Sequence, residues 1–132
     1  MDNERKGIDW RNLREFADVD LEQSFVLSWK YESGALLIDA DLLLLPEHPF
    51  YEPPRPAEKV CIRAALMEFP FCVAAGQSGT EFTNDIAASI AGLGIGAISG
   101  FRVVDDGRYE ISGDFGDVMI EAERPLLRLK ST

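Results

Sequence analysis

An alternation of apolar and polar residues that begins at Phe25 is the clearest pattern along the chain. Phe25, Leu27, Trp29 and Tyr31 are separated by single, mostly more polar residues. A period of two is typical of a strand that buries one face. We therefore expect a strand from Phe25 whose buried face carries Trp29.

A second alternation follows the pair Ser33-Gly34 and predicts the partner strand of a β-hairpin. Its polar face carries Asp39 and Asp41. Its apolar face consists of Leu36, Ile38, Ala40, Leu42 and Leu44. Serine and glycine between two alternating runs favour a tight antiparallel turn.

Further strands are predicted on both sides of a blurred middle region. The segment from Lys59 to Phe69 is apolar on both faces, which indicates a central strand. No element is assigned between positions 71 and 98, where small residues and glycines blur any period. The last four predicted strands are Phe101 to Val104, Tyr109 to Ser112, Val118 to Ala122 and Leu126 to Leu129. They are separated by turns at Asp105-Asp106-Gly107, Gly113-Asp114-Phe115-Gly116 and Arg124-Pro125. We expect them to form a meander.

The first element has a helical pattern. Asp9 is placed as an N-cap, Trp10, Leu13 and Ala17 lie on one side, and Ile8 is spaced to pack on Leu13. The fold class predicted from all these elements is mainly β, or β-rich α+β. We expect an antiparallel sandwich or partly closed barrel of six to seven strands with a short N-terminal helix. The length of 132 residues predicts one domain, 1–132.

Composition and charge narrow the function classes. The chain is 46% hydrophobic, which is typical of a folded domain, and carries a net charge of -10. This charge disfavours nucleic acids and anionic membrane surfaces as partners. The N-terminus lacks the apolar core of a signal peptide, and the apolar stretch from Ile86 to Phe101 is too short to span a membrane. We expect a cytoplasmic protein.

Residues with catalytic or metal-binding chemistry are few. His48 is the single histidine, and Cys61 and Cys72 lack the spacing of a redox or zinc motif. We expect two buried, reduced thiols and, at Asp39 and Asp41, a solvated strand face. The sequence predicts no catalytic residue, no metal site and no cofactor, and it favours a non-enzymatic protein.

The loop from Pro46 to Pro56 is the best candidate for a contact surface. It holds five of the seven prolines, together with Phe50, Tyr51 and Arg55. Aromatic and arginine side chains are favoured at protein interfaces. The alternative is that both rings fold back and cover one end of the sheet.

An apolar pocket is the competing site. Trp29, Tyr31, Met67 and Phe69 would line it, in the mouth or interior of a barrel. Arg63 lies on a largely apolar strand, and a buried guanidinium needs a partner such as Asp39, Asp41 or Glu68. An inward Arg63 would mark a site for an anion or carboxylate.

Two functions follow from these sites. The first is a non-enzymatic cytoplasmic protein-interaction protein, in one version an immunity-like protein, that uses its acidic surface and the Pro46 to Pro56 loop. Its predicted binding residues are Phe50, Tyr51, Arg55, Arg63 and Trp29. The alternative is a small-molecule-binding or enzymatic β-barrel with an apolar pocket that contains Arg63. A protein partner and a second copy of the chain both stay open as partners.

Three segments carry a resemblance. They are Ser24-Phe-Val-Leu-Ser-Trp29, the loop from Leu45 to Pro56, and Ser112-Gly-Asp-Phe-Gly-Asp-Val118. Together they resemble a group of small, uncharacterised bacterial proteins of similar length that have no assigned activity. The resemblance implies a bacterial cytoplasmic β protein, and it implies no functional residues.

Overall fold

The structure, a computed structural model, describes residues 8–10, 13–54, 56, 60–78 and 85–130. Within these ranges the chain forms nine strands, one 3-10 helix and one α-helix. The strands are β1 (Ile8–Asp9), β2 (Val19–Glu32), β3 (Ala35–Leu44), β4 (Cys61–Phe69), β5 (Ala74–Gln77), β6 (Gly96–Asp105), β7 (Arg108–Gly113), β8 (Gly116–Glu121) and β9 (Leu126–Leu129). The 3-10 helix is Arg14–Phe16, and the α-helix, α1, is Ile86–Ala91.

Eight strands follow one another in a single antiparallel sheet. Their order is β5-β8-β7-β6-β2-β3-β4-β9, and β1 pairs with β6 beside this path. Among the described residues the edge strands β5 and β9 do not pair with each other, so the sheet is not closed. The mainly β, antiparallel fold is confirmed. The number of strands in the described ranges exceeds the six or seven predicted.

The sheet curls so that distant strands meet across one core. Phe69 of β4 lies 5.5 Å from Tyr109 of β7 and 6.0 Å from Phe101 of β6, measured between ring centroids. In the sheet order, β3 and β2 separate β4 from β6. Phe16 of the 3-10 helix packs edge-on against Phe101 at 5.2 Å and covers this aromatic cluster. The core therefore forms between the two halves of the sheet.

The predicted buried face of β2 is partly wrong. Phe25 and Leu27 are exposed, whereas Trp29 and Tyr31 pack against the core. The register between β2 and β3 shifts by one residue after Val26, which leaves Leu27 without a partner in β3. A β-bulge of this kind reverses the alternation of the residues that follow it. Trp29 and Tyr31 therefore share the inner face with buried Val26.

The predicted apolar face of β3 is confirmed. All five of its residues, from Leu36 to Leu44, are buried, and Asp39 and Asp41 lie half-buried on the other face. The hairpin before it is also confirmed. Ser33 and Gly34 both have positive φ, as a tight turn between two twisted strands requires.

The predicted N-terminal helix is wrong in its position and type. Asp9 belongs to β1 and is not an N-cap, and the helical segment is the single 3-10 turn Arg14–Phe16. The Trp10 indole N–H donates to the carbonyl of Val19, at 3.3 Å, and this tertiary contact overrides the local helical pattern. Ala17 is exposed. The side chain of Ile8, predicted to pack on Leu13, lies outside the part of the chain that the structure describes.

The predicted C-terminal meander holds for three strands and fails for the fourth. β6, β7 and β8 pair in sequence, through turns at Gly107 and Gly116. β9 pairs with β4 instead of β8. Pro125 has no backbone N–H to extend the β8 ladder, and the chain crosses at this point to the other half of the sheet.

The stretch without a sequence-based assignment contains β5 and α1. The side chain of Asp85 accepts from the Ala88 N–H, at 3.0 Å, and caps α1. Residues 79–84 of this stretch lie outside the described ranges. Of the helices that the structure describes, none has the length and apolar character needed to cross a membrane.

Candidate functional site

The proline-rich loop presents one aromatic ring to solvent and packs the other. Phe50 is 57% exposed. Tyr51 is partly buried and packs against the hydrophobic core. Phe50 is therefore available as a contact residue, whereas Tyr51 folds back against the core. Arg55, the third predicted contact residue of the loop, lies outside the described residues.

His48 organises the exposed part of this loop. Its Nδ1 accepts a hydrogen bond of 3.0 Å from the Phe50 N–H, and the two rings are 5.9 Å apart. Burial lowers the pKa of His48 and the charge of Arg63 adds to this effect, while Asp18 opposes it. The neutral imidazole is therefore favoured, and it holds Phe50 in place as an acceptor.

Arg63 lies in β4 opposite buried Leu42, and its guanidinium contacts backbone carbonyls. It donates to the Phe50 oxygen at 3.2 Å and to the Lys130 oxygen at 3.5 Å. Its Nε is buried and has no hydrogen-bond partner among the described residues. Arg63 thus ties the proline-rich loop to the end of β9.

Two of the three carboxylates proposed as partners of Arg63, Asp39 and Glu68, are paired elsewhere. Asp39 accepts from the Lys130 ammonium and from the Ser28 hydroxyl, at 2.9 Å for the latter. These hydrogen bonds, that from Lys130 most of all, lower the pKa of Asp39 although burial opposes them. Glu68 pairs with Arg128 at 3.1 Å.

The polar N–H group of the Trp29 indole makes a hydrogen bond within the fold. Its indole N–H donates to the Gly94 carbonyl at 2.7 Å, and its ring packs edge-on against Phe115 at 5.2 Å. Of the predicted site residues, Phe50 and Arg63 are brought together. Trp29 lies at a different contact.

Both cysteines are free and buried, as predicted. Burial raises the pKa of the Cys72 thiol, and a backbone contact with Ala74 only partly opposes this. Because the thiolate is the reactive form, Cys72 is held in its less reactive state.

A cleft of about 730 Å³ forms where the β6–β7 turn meets the chain after β8. We call it the acidic cleft, because the described residues that line it include four carboxylates and one guanidinium. The charged residues are Glu15, Asp105, Asp106, Glu123 and Arg124. The other lining residues are Leu13, Val103, Val104, Gly107, Tyr109, Ala122 and Pro125. Neither Arg63 nor Trp29 lines this cleft.

The guanidinium of the acidic cleft is already paired. Arg124 Nε donates to Glu15 Oε2 at 2.7 Å. Burial acts to raise the pKa of Glu15, but the hydrogen bond and charge of Arg124, with a local backbone amide, outweigh it and lower the pKa. Glu15 Oε1 is buried without a hydrogen-bond partner in the described chain. The other three carboxylates, those of Asp105, Asp106 and Glu123, therefore favour a negative electrostatic potential in the cleft.

Tyr109 joins the acidic cleft to the core. Burial raises its pKa, and the carboxylates of Asp106, Glu15 and Glu123 add to this, while Arg124 opposes them. The phenol therefore stays neutral at physiological pH. Its ring packs against Phe69 in the aromatic cluster.

Sequence reasoning assigned the Asp105-Asp106-Gly107 segment to turn chemistry and did not identify the cleft. The turn is present, since Gly107 has a φ of +77°. The cleft arises because Glu15 and Glu123, distant in sequence, approach the same turn. The sequence shows acidic pairs at positions 105 and 106 and at positions 121 and 123. It does not indicate that these segments lie close together in the folded protein.

Within the described ranges no three His, Cys, Asp or Glu side chains are grouped closely enough to hold a metal ion.

Comparison of the chain with protein-family models, curated proteins and solved structures gives no match.

Proposed function

We propose that the protein is a non-enzymatic binding protein that accepts a basic segment of a partner protein in the acidic cleft. The observation that carries this proposal is the described part of the cleft lining, which has four carboxylates around one guanidinium that is already paired with Glu15. A cleft lined by one sign of charge concentrates the field and attracts the opposite charge.

The lining suits a lysine or arginine side chain. Leu13, Val103 and Pro125 offer an apolar wall for the aliphatic part of such a side chain. Asp106 and Glu123 offer exposed carboxylates for its charged end. An arginine in the partner would gain most, because its planar guanidinium can bind a carboxylate through two parallel hydrogen bonds.

The overall charge supports the same proposal. A net charge of -10 accelerates association with a basic partner and disfavours acidic competitors. One version is an immunity-like or inhibitor role, in which the protein neutralises a basic partner by covering its functional surface.

The test uses a fluorescent peptide of alternating glycine and lysine as the probe, with affinity read from fluorescence anisotropy. The variant Asp106→Asn/Glu123→Gln removes two charges from the cleft. The control, Glu47→Gln/Glu52→Gln, removes two charges from exposed positions of the proline-rich loop. We expect about fivefold weaker binding for the cleft variant, as two contacts of about 0.5 kcal/mol each would give, and less than about twofold for the control.

Added salt should weaken binding to the wild type more than to the cleft variant, because the lost contacts are ionic. Equal weakening by both variants would show that the peptide responds only to net charge, and the proposal would then be wrong. If the peptide does not bind at all, the proposal would also be wrong.

A further inference from the structure

The connection between β4 and β5 carries the two most exposed large apolar side chains that the structure describes. Phe71 is 78% exposed and Val73 is 70% exposed. Cys72, between them, points inward and is buried. We call Phe71 and Val73 the apolar knob.

The backbone at Phe71 is strained. Its φ is +51°, in the left-handed region. A bulky side chain at positive φ is uncommon, and such strain persists only where the surrounding structure imposes it. In this strained conformation, the Cys72 side chain points toward the core and the Phe71 ring points toward solvent.

The surrounding hydrogen bonds hold this conformation from both sides. The Cys72 N–H donates to the Gly34 carbonyl, at 2.8 Å, in the turn between β2 and β3. The Val73 N–H donates to the Glu121 carbonyl, at 2.9 Å, at the end of β8. An exposed ring on a backbone fixed in this way loses little conformational entropy when it enters a partner.

The apolar knob and the acidic cleft are neighbours. Glu123, which lines the cleft, donates its N–H to the carbonyl of Pro70, the residue before Phe71, at 2.8 Å. The backbone that carries Phe71 is therefore bonded to the backbone that lines the cleft, and one partner can contact both. A second copy of this chain is a poor occupant, because it brings the same carboxylates and a like net charge.

We propose that Phe71, with Val73 beside it, is the apolar anchor of the partner interface, and that it enters an apolar pocket bordered by lysine or arginine on a basic protein. This inference rests on the proposed function and adds an apolar contact to the charged contact in the cleft. Aromatic anchors of this kind, surrounded by complementary charge, typically contribute most of the affinity of an interface.

The experiment compares two probes of equal charge. One is the glycine–lysine peptide, and the other is the same peptide with some of its glycines replaced by leucine. We expect the leucine-containing peptide to bind the wild type about tenfold more tightly, since it buries apolar area against the knob. Phe71→Gly should remove this gain, and Phe71→Asn, which also tolerates positive φ, should do the same.

Phe50→Gly is the matched control, because it removes another exposed phenylalanine ring. It should leave the leucine gain intact. A gain that survives Phe71→Gly, or that Phe50→Gly removes equally, would overturn the inference. Circular dichroism of each variant checks that the fold is kept.

The remaining outcomes separate this inference from the proposed function. If the glycine–lysine peptide binds in the cleft but leucine adds nothing, the anchor is wrong and the proposed function stands. If neither peptide binds, both are wrong. A homodimer in sedimentation experiments that Phe71→Gly dissociates would assign the knob to a second copy and overturn the inference.

Discussion

The backbone N–H of Glu123 donates a hydrogen bond of 2.8 Å to the carbonyl oxygen of Pro70. Glu123 belongs to the acidic cleft, and Pro70 precedes the strained, exposed Phe71. This single bond places a surface of carboxylates beside an aromatic ring, although the two residues are far apart in sequence. The backbone that lines the cleft is thus bonded directly to the segment that carries the exposed Phe71.

Phe71→Gly should raise the free energy of unfolding by up to about 1 kcal/mol. Relief of left-handed strain contributes roughly 1–2 kcal/mol, and the greater freedom of glycine in the unfolded chain offsets about 0.5–1 kcal/mol of it. Urea denaturation measures the change. Phe50→Gly, where φ is not positive, should instead lower stability by about 0.5–1 kcal/mol. A marked loss of stability in Phe71→Gly would mean that the ring packs against the protein.

Ser24→Ala should destabilise the fold by about 1–3 kcal/mol. The fully buried Ser24 hydroxyl donates to the Asp20 carbonyl at 2.7 Å and accepts from the Leu43 N–H at 2.9 Å. It thereby closes an irregular segment of β2, and alanine removes both hydrogen bonds. Thermal denaturation compares it with Ser28→Ala, whose half-buried hydroxyl should matter by less than about 1 kcal/mol. Similar losses in both variants would contradict this role for Ser24.

The two aromatic rings of the proline-rich loop should respond differently to truncation. Tyr51→Ala should cost about 1–2 kcal/mol, because the ring packs partly buried against the core. Phe50→Ala should stay within about 0.5 kcal/mol, because its ring is largely exposed. Chemical denaturation of the two variants side by side measures both values. A large loss in Phe50→Ala would place that ring in the fold and remove it as a contact residue.

Arg124→Gln should raise the pKa of Glu15. The pKa of Glu15 is lowered in the folded state, so its contribution to stability is present above the ordinary glutamate pKa and is lost as the pH falls through the folded value. Without the hydrogen bond and charge of Arg124, the pKa of Glu15 should rise toward its ordinary value, so Glu15 should contribute less of the stability that is lost on acidification. An NMR titration of the side-chain carboxyl carbons measures the shift.

Arg128→Gln is the control for that titration, because Arg128 pairs with Glu68 and not with Glu15. It should leave the titration of Glu15 unchanged. Arg124→Gln also removes the one cation among the described residues of the cleft lining and should tighten binding of the glycine–lysine peptide. A Glu15 titration that does not move in Arg124→Gln would contradict the pairing.

Patterns within short segments were enough to predict much of the sheet. The five apolar residues from Leu36 to Leu44 are buried as their period of two requires, and the glycine turns at positions 34, 107 and 116 join the strands that they were expected to join. These features depend on side-chain alternation and local backbone preference, which the sequence carries directly.

Other features were decided by tertiary structure. A one-residue shift at Leu27 turned Phe25 outward, and the crossing after Pro125 paired β9 with β4. Neither register nor strand order follows from periodicity, because both depend on contacts between segments that are distant in the chain.

The site shows the same division. The sequence by itself determined an acidic chain and a proline-rich loop that carries Phe50 and Tyr51. Only the tertiary structure brought Glu15, Asp106 and Glu123 around one cleft and set strained Phe71 beside it. The physical reason is that charge and local backbone preference belong to single residues and their immediate neighbours. A cleft instead belongs to the way in which separate strands pack, and that is specified by the whole core.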